Sequence, residues 1–205
     1  AINDRQLRTM VKLLGTLLGR VIKTHAGKGV YNAVEKLRKG FIGLRENESS
    51  AKHDQLIKYI GKLDRNTLTD VIRSYSKYFA LVNVTEEAFQ HINRERRLKS
   101  GYDSWDGSFD STLREFIGQK ISGKDLQELL RHLKYIPVFT AHPTEAKRRS
   151  EMHLMRRIFS MILEFQEYKG QSIKKAELLE KLESEILILW KTDEVRLKKP
   201  TVIDE

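Results

Sequence analysis

Apolar residues recur at helical spacing through most of this 205-residue chain, and that periodicity constrains its fold more than any other feature. The first stripe is formed by Leu7, Met10, Val11, Leu14, Leu17, Leu18, Val21 and Ile22. It predicts an amphipathic helix over about residues 4–24, which Gly27 and Gly29 are expected to end. Similar patterns predict helices over about 30–45, 52–63, 67–97, 110–120, 124–134 and 172–196. We therefore expect a mainly α, bundle-like fold.

The breaks between these helices carry polar and turn-forming residues. Residues 47–50 are expected to form a loop, and Asp64 begins a plausible cap for the long helix that follows. Residues 99–108 are the clearest irregular segment and could form a flexible loop. Without a linker or an internal repeat, 1–205 is interpreted as a single helical portion with no internal boundary. The long helix is expected to face the core with Tyr75, Tyr78, Phe79, Val82 and Phe89.

One short segment departs from the helical pattern. Residues 135–140 are apolar, β-branched and aromatic, and six residues is the length of a strand. Pro137 suits the start or the edge of a strand. Pro143 then suits the first position of a new helix. His142 is therefore expected on a strand-to-helix turn, where free backbone N–H groups favour an anion.

Chemically versatile side chains are concentrated around this turn. Thr140, His142, Thr144 and Glu145 are followed by the cations Lys147, Arg148 and Arg149. A cation in the first turns of a helix lowers its stability by about 0.3–1 kcal/mol, because it faces the positive end of the helix dipole. Binding of an anionic substrate would explain why cations are found there. Arg149 follows His142 by seven residues and could share its helix face, as could Arg156. A solvated basic face is the alternative.

Two blocks of sequence resemble phosphoenolpyruvate carboxylases. The pattern Val138-x-Thr140-Ala141-His142-Pro143-Thr144-Glu145-x-x-Arg148-Arg149 resembles the histidine motif of that family. The block Trp190-Lys191-Thr192-Asp193-Glu194-Val195-Arg196, with Pro200 and Asp204-Glu205 after it, resembles a second family segment. The first helix, with Leu7-Arg8, Leu13-Leu14-Gly15 and Leu18-Gly19, resembles the family's opening helix.

The resemblance implies a reaction and roles for particular residues. Bicarbonate attacks the phosphoryl group of phosphoenolpyruvate, giving carboxyphosphate and an enolate, then carbon dioxide, and finally oxaloacetate and phosphate. His142 would be the general base, since imidazole exchanges protons near neutral pH. Arg149 would bind substrate, within a motif that Thr140, Thr144, Glu145 and Arg148 complete. Residues of the second block would pack near the histidine segment and support it without contacting the substrate. They are Trp190, Asp193, Glu194 and Arg196.

The resemblance also implies that most of the enzyme lies outside this chain. Family members are much longer, and their ligands for Mg²⁺ or Mn²⁺ cannot be matched here. The strand at about 135–140 would belong to an incomplete α/β barrel. We therefore expect an N-terminal portion of a carbon–carbon lyase that fixes carbon dioxide and supplies the tricarboxylic acid cycle. Alone it would be inactive; at full length it would form a homotetramer.

Composition limits the remaining classes of function. The chain has no cysteine, which excludes disulfides and thiolate chemistry. It has no apolar run long enough to span a membrane and no secretory signal at its start, so a cytoplasmic location is expected. Its net charge of +10 suggests nucleic-acid binding as an alternative function. Basic clusters such as residues 94–99 would make the contacts, although acidic residues are interleaved with the basic ones throughout the chain. A histidine phosphorelay module is a further alternative, with His142 as the phosphoryl acceptor.

Overall fold

The computed structural model describes residues 4–100, 107–138, 149–168 and 170–192. Eight helices lie within these ranges, and they confirm the mainly α prediction. Their bounds are α1 Asp4–His25, α2 Gly27–Glu46, α3 Ser50–Ile60, α4 Arg65–Lys99, α5 Phe109–Gly118, α6 Gly123–His132, α7 Arg149–Glu167 and α8 Ser172–Lys191. Most of them agree with the sequence prediction to within a few residues.

The break between α1 and α2 is shorter than the two glycines suggested. Gly27 has a φ of +92°, a conformation that favours glycine, and it begins α2 directly after Ala26. Gly29 lies inside α2 and does not interrupt it. One glycine with a positive φ is therefore enough to turn the chain, and the prediction that both glycines break the helix was wrong.

Polar side chains cap four of the helices at their N-termini. The Ser49 hydroxyl accepts from the Lys52 N–H, and the Ser108 hydroxyl accepts from the Ser111 N–H. Asp64 accepts from the N–H groups of Asn66 and Thr67, each at 3.0 Å, which confirms the predicted cap of α4. Ser122 and Asp125 form a reciprocal capping box on α6. These contacts satisfy N–H groups that a helix leaves without intrahelical partners.

The described residues form two compact units. The first comprises residues 4–90, 149–168 and 170–192, and so contains α1, α2, α3, most of α4, α7 and α8. Within it, α1 packs against both α2 and α8, α7 packs against α8, and α3 packs against α2. Its buried apolar side chains include Leu14, Leu17, Leu18, Ile158, Ile162, Leu182, Ile186 and Leu189.

Two tyrosines fit against glycines of α1. A Cβ on Gly15 would lie 3.3 Å from Cε2 of Tyr78, and a Cβ on Gly19 would lie 3.3 Å from Cε2 of Tyr31. Both glycines have the helical conformation, so their role is to leave space for the two tyrosine rings. The Gly15 and Gly19 positions of the opening helix therefore correspond to close approaches of α4 and α2.

The core face of α4 is rotated from the prediction. Its buried side chains are Val71, Ser74, Lys77, Leu81, Val84, Thr85, Ala88 and Phe89. Phe79 is 59% exposed, so its assignment to the core was wrong, whereas Phe89 is buried. A lysine, Lys77, occupies a position on this face that a stripe of apolar residues would leave for a hydrophobic side chain.

The second unit comprises residues 91–100 and 107–138 and contains α5 and α6. On α6, Leu129 and Leu130 are about half exposed, and Leu133 just after it is exposed as well. The expected strand at 135–140 is not found over the described residues 135–138, where Tyr135, Ile136 and Val138 are largely exposed. Strand propensity alone makes no strand, because a strand requires a hydrogen-bonded neighbour, and the described residues contain no other strand.

Three predictions about the chain fall wholly or partly on residues outside the described ranges. They are the flexible loop at 99–108, the last two residues of the strand at 135–140, and the helix start at Pro143. At the two edges of the predicted loop, Lys99 ends α4 and Ser108 caps α5. Among the described helices, none is long and apolar enough to cross a lipid bilayer.

Candidate functional site

The helices α7 and α8, which adjoin the two motif segments in sequence, pack against each other. They are joined through residues 168–171, where Gly170 has a φ of +80°. A connection this short makes them antiparallel neighbours. The first turn of α7, which follows the histidine motif, therefore lies at the same end as the last turn of α8, which enters the second block.

The structure describes two of the predicted site residues. Arg149 is the first residue of α7 and its side chain is exposed. Trp190 is in the last turn of α8 and is only 2% exposed. The other candidates lie outside the described residues: Thr140, His142, Thr144, Glu145, Arg148, Asp193, Glu194 and Arg196.

The exposed face of α7 is basic close to the motif. Arg149, His153 and Arg156 are all exposed and recur at spacings of four and three residues, so they lie along one side of the helix. The opposite side is buried through Leu154, Ile158 and Ile162. The row expected from Arg149 to Arg156 therefore exists, and it is available to solvent or to an anion.

A buried ion pair was missed by the sequence interpretation. The Nζ of Lys77 on α4 lies 3.8 Å from Oε1 of Glu151 on α7, and the two side chains are 0% and 7% exposed. Charged side chains are almost never fully buried unless they are paired. The available signal was their spacing from apolar core residues: Lys77 lies four residues before Leu81, and Glu151 lies three residues before Leu154.

Trp190 contacts the same helix as Glu151. The guanidinium carbon of Arg73 lies 5.7 Å from the centroid of the Trp190 ring, within the range of a cation–π interaction. Burial of Trp190 agrees with its interpretation as a core residue at the end of an apolar run. Its location places the start of the second block beside α4.

A second ion pair fixes α7 to α8 further along the two helices. The Arg157 Nε and Nη2 atoms donate to the two carboxylate oxygens of Glu185 at 2.9 and 2.8 Å. This bidentate hydrogen bond raises the pKa of Arg157. This charge-assisted contact holds the hairpin of α7 and α8 together, and it lies about two turns along α7 from Glu151.

The described residues do not form a metal site. No group of three or more histidine, aspartate or glutamate side chains among them is placed to hold a metal ion. The expected ligands for Mg²⁺ or Mn²⁺ were assigned to parts of the enzyme outside this chain. That assignment stays a prediction.

The chain matches the family model of phosphoenolpyruvate carboxylase over residues 7–205. It is 33% identical over 205 residues to the phosphoenolpyruvate carboxylase of Roseiflexus castenholzii, covering 98% of this chain and 22% of that protein. The corresponding enzyme of Alcanivorax borkumensis is 30% identical over 200 residues, covering 97% of this chain and 22% of that protein. The chain thus spans about a fifth of the length of the curated relatives it matches. It belongs to the phosphoenolpyruvate carboxylase family.

Proposed function

We propose that this chain is the N-terminal part of an enzyme that carboxylates phosphoenolpyruvate with bicarbonate, giving oxaloacetate and phosphate. The observation that carries the proposal is the antiparallel pairing of α7 and α8. Because of this pairing, the first turn of α7, which follows the histidine motif, lies at the same end as the last turn of α8, where the second block begins. Family membership supports the reaction, since the matched relatives are named phosphoenolpyruvate carboxylases.

His142 would act as the general base in the second half of the reaction. It would take the proton from the carboxyl group of carboxyphosphate, after which the C–O bond to the phosphate breaks and carbon dioxide and phosphate separate. The enolate carbon would then form the new C–C bond with carbon dioxide. A pKa near neutrality lets an imidazole take and return this proton.

Arg149 would bind the anionic substrate. Its exposed position at the first turn of α7, directly after the histidine motif in sequence, supports a contact with phosphate or carboxylate oxygens. A divalent cation would neutralise charge on the phosphate and the enolate when bound, but the described residues do not supply its ligands. Assembly into a tetramer and a cytoplasmic location are further parts of the proposal for the full-length enzyme.

The His142→Asn variant tests the role of the base, in a polypeptide that carries this chain at the length of the family. Removing a general base is expected to slow oxaloacetate formation by about 10²–10⁴-fold. Release of phosphate from phosphoenolpyruvate in the presence of bicarbonate should fall less, because carboxyphosphate forms before the base acts. The matched control is His153→Asn, an exposed histidine on α7, which should leave both rates unchanged. Equal effects of the two substitutions would contradict the assignment.

Two further experiments test the substrate contact and the expected inactivity of the chain alone. Arg149→Gln should raise the KM for phosphoenolpyruvate, whereas Arg156→Gln, two turns further along the exposed face, should change it much less. The purified 205-residue chain, with Mg²⁺, bicarbonate and phosphoenolpyruvate, should form no oxaloacetate. Measurable oxaloacetate in that assay would show that the catalytic groups are complete in this chain.

Nucleic-acid binding remains the alternative that net charge suggested. The basic end of α4 contains Glu95, whose carboxylate oxygens lie 3.3 Å from His91 and 3.5 Å from Lys99. This interleaved carboxylate lowers the positive field along that part of the helix. A titration with duplex DNA at two salt concentrations separates the functions, because phosphate contacts would make the affinity fall steeply with salt. A phosphorelay role would instead leave acid-labile phosphate on His142 after incubation with phosphoenolpyruvate.

A further inference from the structure

The described residues of the second unit contain almost no buried side chain. Over residues 91–100 and 107–138 only Ser108 is buried, and it is polar. The helices α5 and α6 of this unit have 10 residues each and share no extensive contact. Isolated helices shorter than about 12–15 residues are marginal in water, and packing of an apolar face supplies most of the stability of helices in proteins. Both helices therefore need an apolar partner that the described part of the unit does not provide.

The apolar face of α6 indicates where such a partner would bind. It is formed by Leu126, Leu129, Leu130 and Leu133, whose spacings of three and four residues put them on one side of the helix. Leu129, Leu130 and Leu133 are 51%, 52% and 65% exposed, although a stripe this regular normally faces a core. Lys124 lies on the other side of α6, because it precedes Leu126 by two residues, which is about 200° around the helix.

The apolar surface continues beyond the end of α6. Tyr135, Ile136 and Val138 are 87%, 77% and 80% exposed, and residues 135–138 form neither helix nor strand. Together with the three leucines, six large apolar side chains are exposed within residues 129–138. Single exposed apolar residues are ordinary, whereas a cluster of them marks an interaction surface. Residues 126–138 therefore present an apolar surface that a partner would cover.

We propose that the apolar surface at 126–138 packs against an apolar surface in the part of a family-length enzyme that lies outside this chain. About four fifths of the length of the curated relatives is not matched by this chain, which leaves ample polypeptide to supply that partner. Such a partner would be tethered to α6 by the polypeptide itself, so it would bind without the association from solution that a second copy of the chain requires. The inference rests on the proposal that the chain is part of a longer enzyme, and not on the reaction of that enzyme.

Thiol labelling tests whether the surface is covered. The chain has no cysteine, so Leu130→Cys and the matched control Lys124→Cys each introduce one thiol at a known position of α6. In a family-length polypeptide, a maleimide should modify Leu130→Cys about 100-fold more slowly than in the 205-residue chain, because the surface must first open. Lys124→Cys should react at similar rates in the two proteins. Mass spectrometry of the peptide that contains α6 measures both rates.

A second variant guards against local damage to the helix. Tyr135→Cys replaces a side chain that is largely in water in this chain, and its labelling should follow that of Leu130→Cys. Rapid labelling of both thiols in the family-length polypeptide would show that the surface is uncovered and would overturn the inference. Slow labelling already in the dilute 205-residue chain would mean that this chain covers the surface itself. Protection that disappears when the family-length protein is diluted would identify a second copy as the occupant.

Hydrogen exchange of the unmodified proteins gives a readout that requires no substitution. Amides of residues 126–133 should exchange more slowly in the family-length polypeptide than in the 205-residue chain. Amides of residues 14–22, which lie in the buried part of α1, should change much less. Equal exchange at 126–133 in the two proteins would contradict the inference. If the surface is protected but the family-length polypeptide forms no oxaloacetate, the proposed function fails and the docking surface stands.

Discussion

Arg157 and Glu185, 28 residues apart in sequence, form a bidentate contact at 2.9 and 2.8 Å that joins α7 to α8. Their environments differ: Arg157 is 49% exposed and Glu185 is 15% exposed. A planar guanidinium that meets both carboxylate oxygens has little freedom to slide. The contact therefore sets the register of the hairpin whose ends adjoin the motif segments.

The coupling energy of this pair should exceed that of an ordinary surface pair. A double-mutant cycle with Arg157→Ala and Glu185→Ala is expected to give about 1 kcal/mol, near the upper end for partly exposed pairs. The same cycle on Arg8 and Asp4, an exposed pair within α1, should give about 0.3–0.5 kcal/mol. Unfolding in urea measures both. Equal couplings would show that the contact between helices adds nothing to a surface ion pair.

The cap of α4 should make stability depend on pH at the acid end. Hydrogen bonds from Thr67 lower the pKa of Asp64 below its usual value of 3.8. Because the folded pKa is depressed, this stabilisation is fully present above the unfolded pKa and is lost as the pH falls through the folded pKa. Urea unfolding between about pH 2 and pH 6 should therefore show a decline below pH 4.

Two substitutions at the same position separate titration from capping. Asp64→Asn keeps a good capping side chain but cannot titrate, so its stability should decline less below pH 4. Asp64→Ala should be less stable than the unmodified protein at neutral pH and approach it in acid. Parallel curves for Asp64→Asn and the unmodified protein would count against Asp64 as the titrating group.

Two glycines of α2 should respond oppositely to alanine. A Cβ on Gly40 would lie 2.6 and 2.9 Å from the methyl carbons of Leu56 on α3, whereas a Cβ on Gly43 would meet open space. Gly43→Ala should stabilise the protein by about 0.5–1 kcal/mol through helix propensity. Gly40→Ala gains the same propensity, but overpacking of about 1–3 kcal/mol should make it destabilising.

Removal of the Leu56 side chain tests the origin of the Gly40 effect. On a Leu56→Ala background the clash is absent, and Gly40→Ala should become neutral or stabilising in thermal unfolding. If Gly40→Ala is as harmful on that background as on its own, the close approach of α2 and α3 is not its cause.

Two side chains near the end of α8, two residues apart in sequence, should differ sharply in their contribution to the free energy of unfolding. Trp190 is 2% exposed and Ile188 is 49% exposed. Trp190→Ala should lower the free energy of unfolding by about 3–5 kcal/mol, as truncation of a buried aromatic does. Ile188→Ala should cost well under half of that, since its side chain stays largely in water. Thermal unfolding followed by circular dichroism compares them; similar losses would contradict the burial of Trp190.

Local sequence signals predicted the helices well because each helix carries its own pattern. The stripe of α1 predicts a helix over 4–24, and the helix runs to His25. Signals that depend on distant partners were harder to interpret. Phe79 has the chemistry of a core residue, yet the rotation of α4 against its neighbours leaves it exposed and buries Lys77. The expected strand likewise had the right local residues and lacked a neighbouring strand among the described ones.

The candidate site was predictable as a set of residue types and not as a set of contacts. The motif around His142 and the block from Trp190 could be found from spacing and resemblance alone. Arg73, Lys77 and Glu151 could not, because a lysine or an arginine in a helix is normally solvated. Only the contacts of α4 with α7 and α8 show that Lys77 and Glu151 are buried and that the half-buried Arg73 lies over the Trp190 ring.

The packing of α1 against α8 has a consequence for folding during synthesis. Arg20 on α1 pairs with Glu183 on α8 at 3.4 Å, across most of the chain. At roughly 5–20 residues per second, a ribosome needs about 8–30 s to make the intervening stretch. Throughout that interval α1 can pack on α2 but not on α8, so part of its leucine-rich face stays in water. Nascent chains stalled before α8 should therefore be targets for chaperones, and chains that include α8 should be released.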